Sequence, residues 1–222
     1  MRCGKCGFDL STSETGCPSC GTMSRGDPDS HFKAAMKSVA NGDLDGAIDL
    51  LERCLELDPD HLTGRFNLGV ALSLMDRCDE AIGHLYHVLT QDAGYSGIYT
   101  ALGEAAFGSY LYHEEQANLK RGVMIELLRR AVDQDEQDVD AYFSLGNAYV
   151  ATGMGEEALS CLRSALKLDP ASSVIYYMLA RAYIVLGGFG EAKLMARKAL
   201  DFAAPSDQFL GDIENLLTEI QR

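Results

Sequence analysis

The feature that most limits how this chain folds is a recurrence. Ala141-Tyr142-Phe143-Ser144-Leu145-Gly146-Asn147-Ala148-Tyr149 aligns with Gly64-Arg65-Phe66-Asn67-Leu68-Gly69-Val70-Ala71-Leu72. Glu156-Glu157-Ala158-Leu159 aligns with Asp79-Glu80-Ala81-Ile82, and Ala165-Leu166-Lys167-Leu168-Asp169-Pro170 with Cys54-Leu55-Glu56-Leu57-Asp58-Pro59. These segments return about every 34 residues. Such a period marks one supersecondary unit stacked repeatedly, because a single unit cannot bury its apolar face alone.

Laid along the chain, the register predicts five units, 28–61, 62–95, 96–138, 139–172 and 173–206, each a pair of helices. The eighth position is always small: Ala35, Gly69, Gly103, Gly146 and Ala180. The twentieth is Ala47, Ala81, Ala158 and Ala192 in four units. Helices joined by a short turn nest tightly only where small residues meet at the crossing. Leu68, Leu102, Leu145 and Leu179, with Leu51, Leu85 and Leu162, are expected to fill the space between layers. Pro59 and Pro170 end the second helix of their units, since proline cannot continue it. Residues 207–222 read as a closing helix, with Leu210, Ile213, Leu216, Leu217 and Ile220 on one face to cover the last unit. Asp27-Pro28 fits a helix start, with Asp as the cap and Pro in the first turn.

On these residues the chain resembles the tetratricopeptide-repeat family over residues 28–206. The second and fourth units match best. His31 stands where a large aromatic is usual, and Pro205 comes one place late. The third unit is longer than its neighbours, with the excess between its helices and Met124 where alanine belongs. The resemblance implies an all-α, right-handed superhelical solenoid of five helix pairs plus a C-terminal capping helix. It also implies that the first helices line a concave groove that binds proteins or peptides. The side chains it places there include Phe32, Met36, Phe66, Asn67, Val70, Thr100, Glu104, Phe143, Asn147, Tyr177 and Arg181. Exposed aromatics of this kind anchor peptides through buried area. Some family members clamp carboxylate tails with Lys and Asn on these helices. Asn67 is at one matching place, but Phe32, Met36, Thr100 and Ala101 stand where the charged and amide groups belong. A basic or apolar peptide is the expected partner. In the third-unit insertion, Tyr110 and Tyr112 either project as a contact knob or fold back on the array.

Cys3-Gly4-Lys5-Cys6-Gly7 and Cys17-Pro18-Ser19-Cys20-Gly21 are two paired-thiol knuckles. Four thiolates suit tetrahedral Zn²⁺, and four protein ligands leave no open position for a catalytic water. Residues 1–23 resemble the short zinc-ribbon family and are expected to form a structural Cys3/Cys6/Cys17/Cys20 zinc module, joined by a polar linker, 24–27, to the first unit. Two alternatives stay open: nucleic-acid association through Arg2 and Lys5, and a thiol-based redox switch. The first is set against few basic residues and Phe8 as the lone aromatic of the ribbon.

The chain carries a net charge of −14 over 222 residues. That balance repels phosphate backbones and anionic membranes and favours basic partners. No export signal or bilayer-length apolar run is visible, so a cytoplasmic location is expected. Seven cysteines, four of them in knuckles, suit a reducing compartment. There is no phosphate-cradling loop, nucleophile elbow or paired acid and base, so a non-catalytic scaffold is predicted. His84 and His87 have helical metal-ligand spacing but no partner at matching spacing, and read as surface residues. Cys54, Cys78 and Cys161 read as packing residues. Oligomeric state is not legible.

Overall fold

The computed structural model describes residues 27–112, 117–204, 207 and 209–220. The cysteine module expected for 1–23 lies outside them, as do the tip of the third-unit insertion at 113–116 and the side chain of Tyr112. Among the described residues there are eleven α-helices and no strand: α1 (Pro28–Ala40), α2 (Leu44–Leu57), α3 (Leu62–Leu74), α4 (Cys78–Gln91), α5 (Ile98–Tyr112), α6 (Ala117–Gln134), α7 (Val139–Ala151), α8 (Gly155–Leu168), α9 (Ser173–Val185), α10 (Phe189–Phe202) and α11 (Leu210–Ile220). The chain divides into two compact units, with the boundary between Gln91 and Asp92.

In unit 1, α1 packs on α2 and α3 on α4, and α2 joins the two hairpins through α3. In unit 2 the hairpins are α5–α6, α7–α8 and α9–α10, joined by α6 on α7 and α8 on α9. The first helices also touch directly, α5 with α7 and α7 with α9, and α11 closes against α10.

The small residue at the eighth position has a specific partner. A Cβ added at Gly69 meets Leu85 Cγ at 2.6 Å, one at Gly103 meets Leu128 Cδ2 at 2.4 Å, and one at Gly146 meets Leu162 Cγ at 2.6 Å. The leucine of the second helix presses onto bare backbone of the first. Leu85 and Leu162, expected between layers, therefore wedge into their own hairpins. Met124, standing where the repeat has alanine, is fully buried one turn before Leu128. Among the described residues part of the lengthening falls on the helices: α5 has 15 residues and α6 18, against 13 and 14 in α7 and α8. Four extra residues lengthen α6 by about 6 Å.

Between hairpins of unit 2, one polar tie repeats. Arg129 Nε donates to Tyr149 Oη at 2.9 Å, and Arg163 Nη2 donates to Tyr183 Oη at 3.0 Å. Each runs from a second helix to the first helix of the next pair. Turns repeat as well. Gly42, Gly153 and Gly187 adopt φ of 77°, 77° and 75°, the left-handed region glycine enters without a Cβ clash. Asp76 holds the same place between α3 and α4 at φ 59°.

Caps follow local chemistry. Asp43, His61 and Asp138 side chains accept hydrogen bonds from Gly46, Gly64 and Ala141 N–H groups at the starts of α2, α3 and α7. Asp27 stands at the cap of α1 but its side chain makes no cap bond, so Pro28 alone marks that start. Asp58 and Asp169 leave the helix at φ −137° and −126° because the following proline excludes helical backbone there. At the C-terminal end Ile213 is fully buried and Leu216 nearly so, covering the last pair. No helix among the described residues is long and apolar enough to cross a membrane.

The Gly146→Ala variant is expected to lose about 1–3 kcal/mol by overpacking against Leu162. Helix propensity alone predicts a gain of about 1 kcal/mol. Urea unfolding followed by circular dichroism reads the sign directly.

Candidate functional site

The candidate site is built from the residues of the first helices that the hairpin cores leave uncovered. In unit 1, the fifth repeat position supplies Phe32 and Phe66 and the ninth Met36 and Val70, all half-buried. Phe32 is committed in part: its ring lies 5.3 Å from that of His61, tilted by 40°. His61 is held in turn by accepting from Gly64 N–H at 2.8 Å through Nδ1, which leaves Nε2 facing Asp29 at 3.3 Å. Asn67 turns back on its own helix, donating to the Thr63 carbonyl at 2.8 Å. The candidate residues of unit 1 are thus apolar apart from Asn67, which spends one of its two amide N–H groups on its own helix.

Unit 2 is different in kind. Its first helices hold three charged residues among the described ones: Glu104 on α5, Asp140 on α7 and Arg181 on α9. Glu104 Oε1 accepts from Ser144 Oγ at 2.7 Å. The Glu104 carboxyl pKa is raised, chiefly because surrounding protein displaces water, with Asp140 and Asp138 adding to the rise and the Ser144 bond opposing it. Yet its side chain keeps an exposed surface. The two facts fit a group on a concave wall, open to solvent on one side and surrounded by protein on the others. Accessibility decides whether a partner reaches it, and crowding decides only the direction of the shift. Thr100 Oγ1 donates to Asp138 Oδ2 at 3.4 Å, beside a cavity of about 230 Å³ lined by Gly97, Thr100, Gln134, Asp135 and Asp138. Phe143 and Asn147 are half-buried on α7. Tyr177 stacks on Phe209 at 6.4 Å between centroids, and the Arg181 guanidinium sits 5.9 Å from the Tyr177 ring centre.

The structure brings Thr100, Glu104, Phe143, Asn147, Tyr177 and Arg181 onto adjacent helices of one unit, and Phe32, Met36, Phe66, Asn67 and Val70 onto adjacent helices of the other. Tyr110 does not project: it is half-buried and packs against the core of unit 2. What stands out on that hairpin is Leu111, 56% exposed, and Val123, 49% exposed. Ser144, Asp138 and Phe209 join the site without having been singled out in sequence. Ser144 and Asp138 have only their places beside Phe143 and at a helix start as a signal. Phe209 precedes the closing helix, where repeat register gives no guidance.

The residues that suggested chemistry have other roles. His84 is half-buried rather than a surface residue, and its Nδ1 is buried with no hydrogen-bond partner. Its pKa is lowered, first by burial and then by Arg65, with Glu52 and Glu80 opposing. Among the described residues no group of three or more His, Cys, Asp or Glu side chains is placed to hold a metal ion. The Cys161 thiol is pushed up to about 11, mainly by burial, so it stays protonated near neutrality. Burial likewise raises Cys54 and Cys78.

Tetratricopeptide repeat models match residues 38–94 and 139–182. The chain carries tetratricopeptide repeats. A thermophilic tetratricopeptide-repeat protein of Thermus thermophilus superposes with a TM-score of 0.73 at 22% identity, covering 87% of this chain and 98% of that one. MamA superposes at 0.61 with 26% identity over 76% of this chain and 93% of its own. YrrB, described as a tetratricopeptide-repeat protein with an unusual peptide-binding site, superposes at 0.59 with 22% identity over 85% and 92%. These likenesses establish the fold. No curated protein matches the chain.

The lowered pKa of His84 has a sign. The unfolded chain binds the proton more readily, so the stability tied to neutral His84 is present above about pH 6.5 and is lost as pH falls through and below it. Thermal midpoints measured from pH 7.5 to 5 are expected to fall, and to fall less in His84→Leu.

Proposed function

We propose that this chain is a non-catalytic scaffold that binds a protein segment along the inner residues of its first helices. The observation that carries the reading is the set of fifth- and ninth-position side chains. They recur at the same two places on successive first helices and each keeps accessible surface, half-buried or exposed, beside a buried residue such as Ala35, Gly69, Leu145 or Ala180. The tetratricopeptide-repeat fold and the peptide-binding site named for YrrB support it. Phe66, Val70 and Met36 offer an apolar strip in unit 1, and Phe143 and Tyr177 offer aromatic anchors in unit 2. The acidic balance of the chain favours a basic or apolar partner.

The decisive experiment is affinity capture from native lysate with the wild type, Phe66→Ala and Phe143→Ala, all checked for unchanged helicity. Truncating an aromatic anchor costs about 2 kcal/mol or more, so a captured partner is expected to weaken by about 30-fold. Capture of the same partners at the same strength by both variants would place binding elsewhere.

The same proposal includes a structural Zn²⁺ on Cys3, Cys6, Cys17 and Cys20, supported by the donor set and its spacing alone. It folds a segment too short to build a core. Metal analysis of purified protein is expected to find about one Zn²⁺ per chain, and none in Cys3→Ser/Cys6→Ser. A metal-free wild type purified without chelator removes the module from the reading.

A further inference from the structure

The ninth position of the three successive first helices of unit 2 is Glu104, then Asn147, then Arg181. The fifth position is Thr100, then Phe143, then Tyr177. Because α7 lies against both α5 and α9, these become two neighbouring rows. One runs from acid through amide to base, and the other from hydroxyl to aromatic. We propose that these rows recognise an extended peptide segment with a Lys or Arg at one end, an Asp or Glu at the other, and an apolar side chain between them. This rests on the peptide-binding reading above and names the class of segment.

Charge placement carries the argument. The only other charge on α5, α7 and α9 is Asp140, which lies at the acidic end with Glu104. Every Lys and Arg of the described residues 92–220 except Arg181 lies on α6, α8 or α10. A chain of net charge −14 thus places a single cation on the first helices of this unit, two helices away from the Glu104 carboxylate of α5.

Among the described residues neither end meets an opposite charge. Helices in contact lie about 8–10 Å apart, so Glu104 and Arg181 stand on helices separated by roughly 16–20 Å and cannot pair with each other. Glu104 has a neutral partner in the Ser144 hydroxyl, and the nearby Asp138 and Asp140 add negative potential without relief. Among the described residues Arg181 pairs with no carboxylate. Its guanidinium rests over the Tyr177 ring, with Nη1 4.0 Å from Met178 Sδ. That contact holds the planar fork in place for bidentate recognition of an incoming carboxylate. The Asn147 amide, midway, can donate to and accept from an extended backbone. Phe143 and Tyr177 supply the apolar contact. An extended chain advances about 3.3 Å per residue, so the two peptide charges fall roughly five to six residues apart.

The test is selection of a random peptide-display library on the purified full-length chain, its Glu104→Lys variant and its Arg181→Glu variant. Both positions are exposed, and unchanged thermal midpoints confirm that the variants fold. Wild type is expected to enrich segments with a basic and an acidic residue at that spacing around an apolar one. Glu104→Lys is expected to lose the basic requirement, and Arg181→Glu the acidic one. A selected wild-type peptide is expected to bind each variant about 10-fold or more weakly, the scale of one charge-assisted hydrogen bond. Peptides enriched without the charge pair, or the same consensus on all three proteins, overturn the charge arrangement and leave peptide binding standing. No enrichment on any of the three overturns both.

Discussion

The structure depends on one close contact, the leucine of the second helix pressed onto the glycine backbone of the first in three of the five pairs. At Gly69, Gly103 and Gly146 there is no room for a single added carbon without displacing Leu85, Leu128 or Leu162. That contact sets the distance between the helices of a pair. Once it is set, the apolar residues flanking it, such as Leu68, Ala71, Leu145 and Ala148, are buried against the partner helix and the adjoining pair. Close packing of this kind tolerates little variation in volume. The repeat can therefore vary on its surfaces while the crossing stays small.

The candidate site is a consequence of the same geometry. A first helix spends one face on its own partner and another on its neighbours, and the residues at the fifth and ninth positions lie at the margin of these faces, Phe143 and Tyr177 packing partly against the core. They keep accessible surface without contributing much to the core, so their chemistry is free to differ between units. Unit 1 uses that freedom for Phe, Met and Val, and unit 2 uses it for a Glu-Asn-Arg row beside aromatics. The long α5–α6 hairpin shows the opposite economy: Met124 and Leu128 are drawn fully inward, while the added residues lengthen the helices.

Much of the fold is legible in the sequence because its main signals are local and periodic. Small residues every 34 positions, prolines after Asp58 and Asp169, and a one-sided apolar pattern in 210–220 each encode a backbone requirement that neighbouring residues state directly. The candidate site is legible only in part. Register names Glu104, Phe143, Asn147, Tyr177 and Arg181, but not their partners. Ser144 reaches Glu104 across 40 positions of sequence, and Phe209 reaches Tyr177 from beyond the last repeat. Tyr110 is a case the sequence leaves open between a protruding knob and a ring folded back on the array, and packing places it against the core.

The sequence by itself determined the helical repeat, its period and the small crossing residues, because each rests on the identity and spacing of nearby residues. Tertiary structure alone decided which leucine meets which glycine, that Asn67 is spent on its own helix, and that His84 is half-buried with an unpaired nitrogen. It also decided that acid, amide and base stand in one row on neighbouring helices of unit 2. Those outcomes depend on which faces meet when helices far apart in sequence pack together, and no local pattern encodes that.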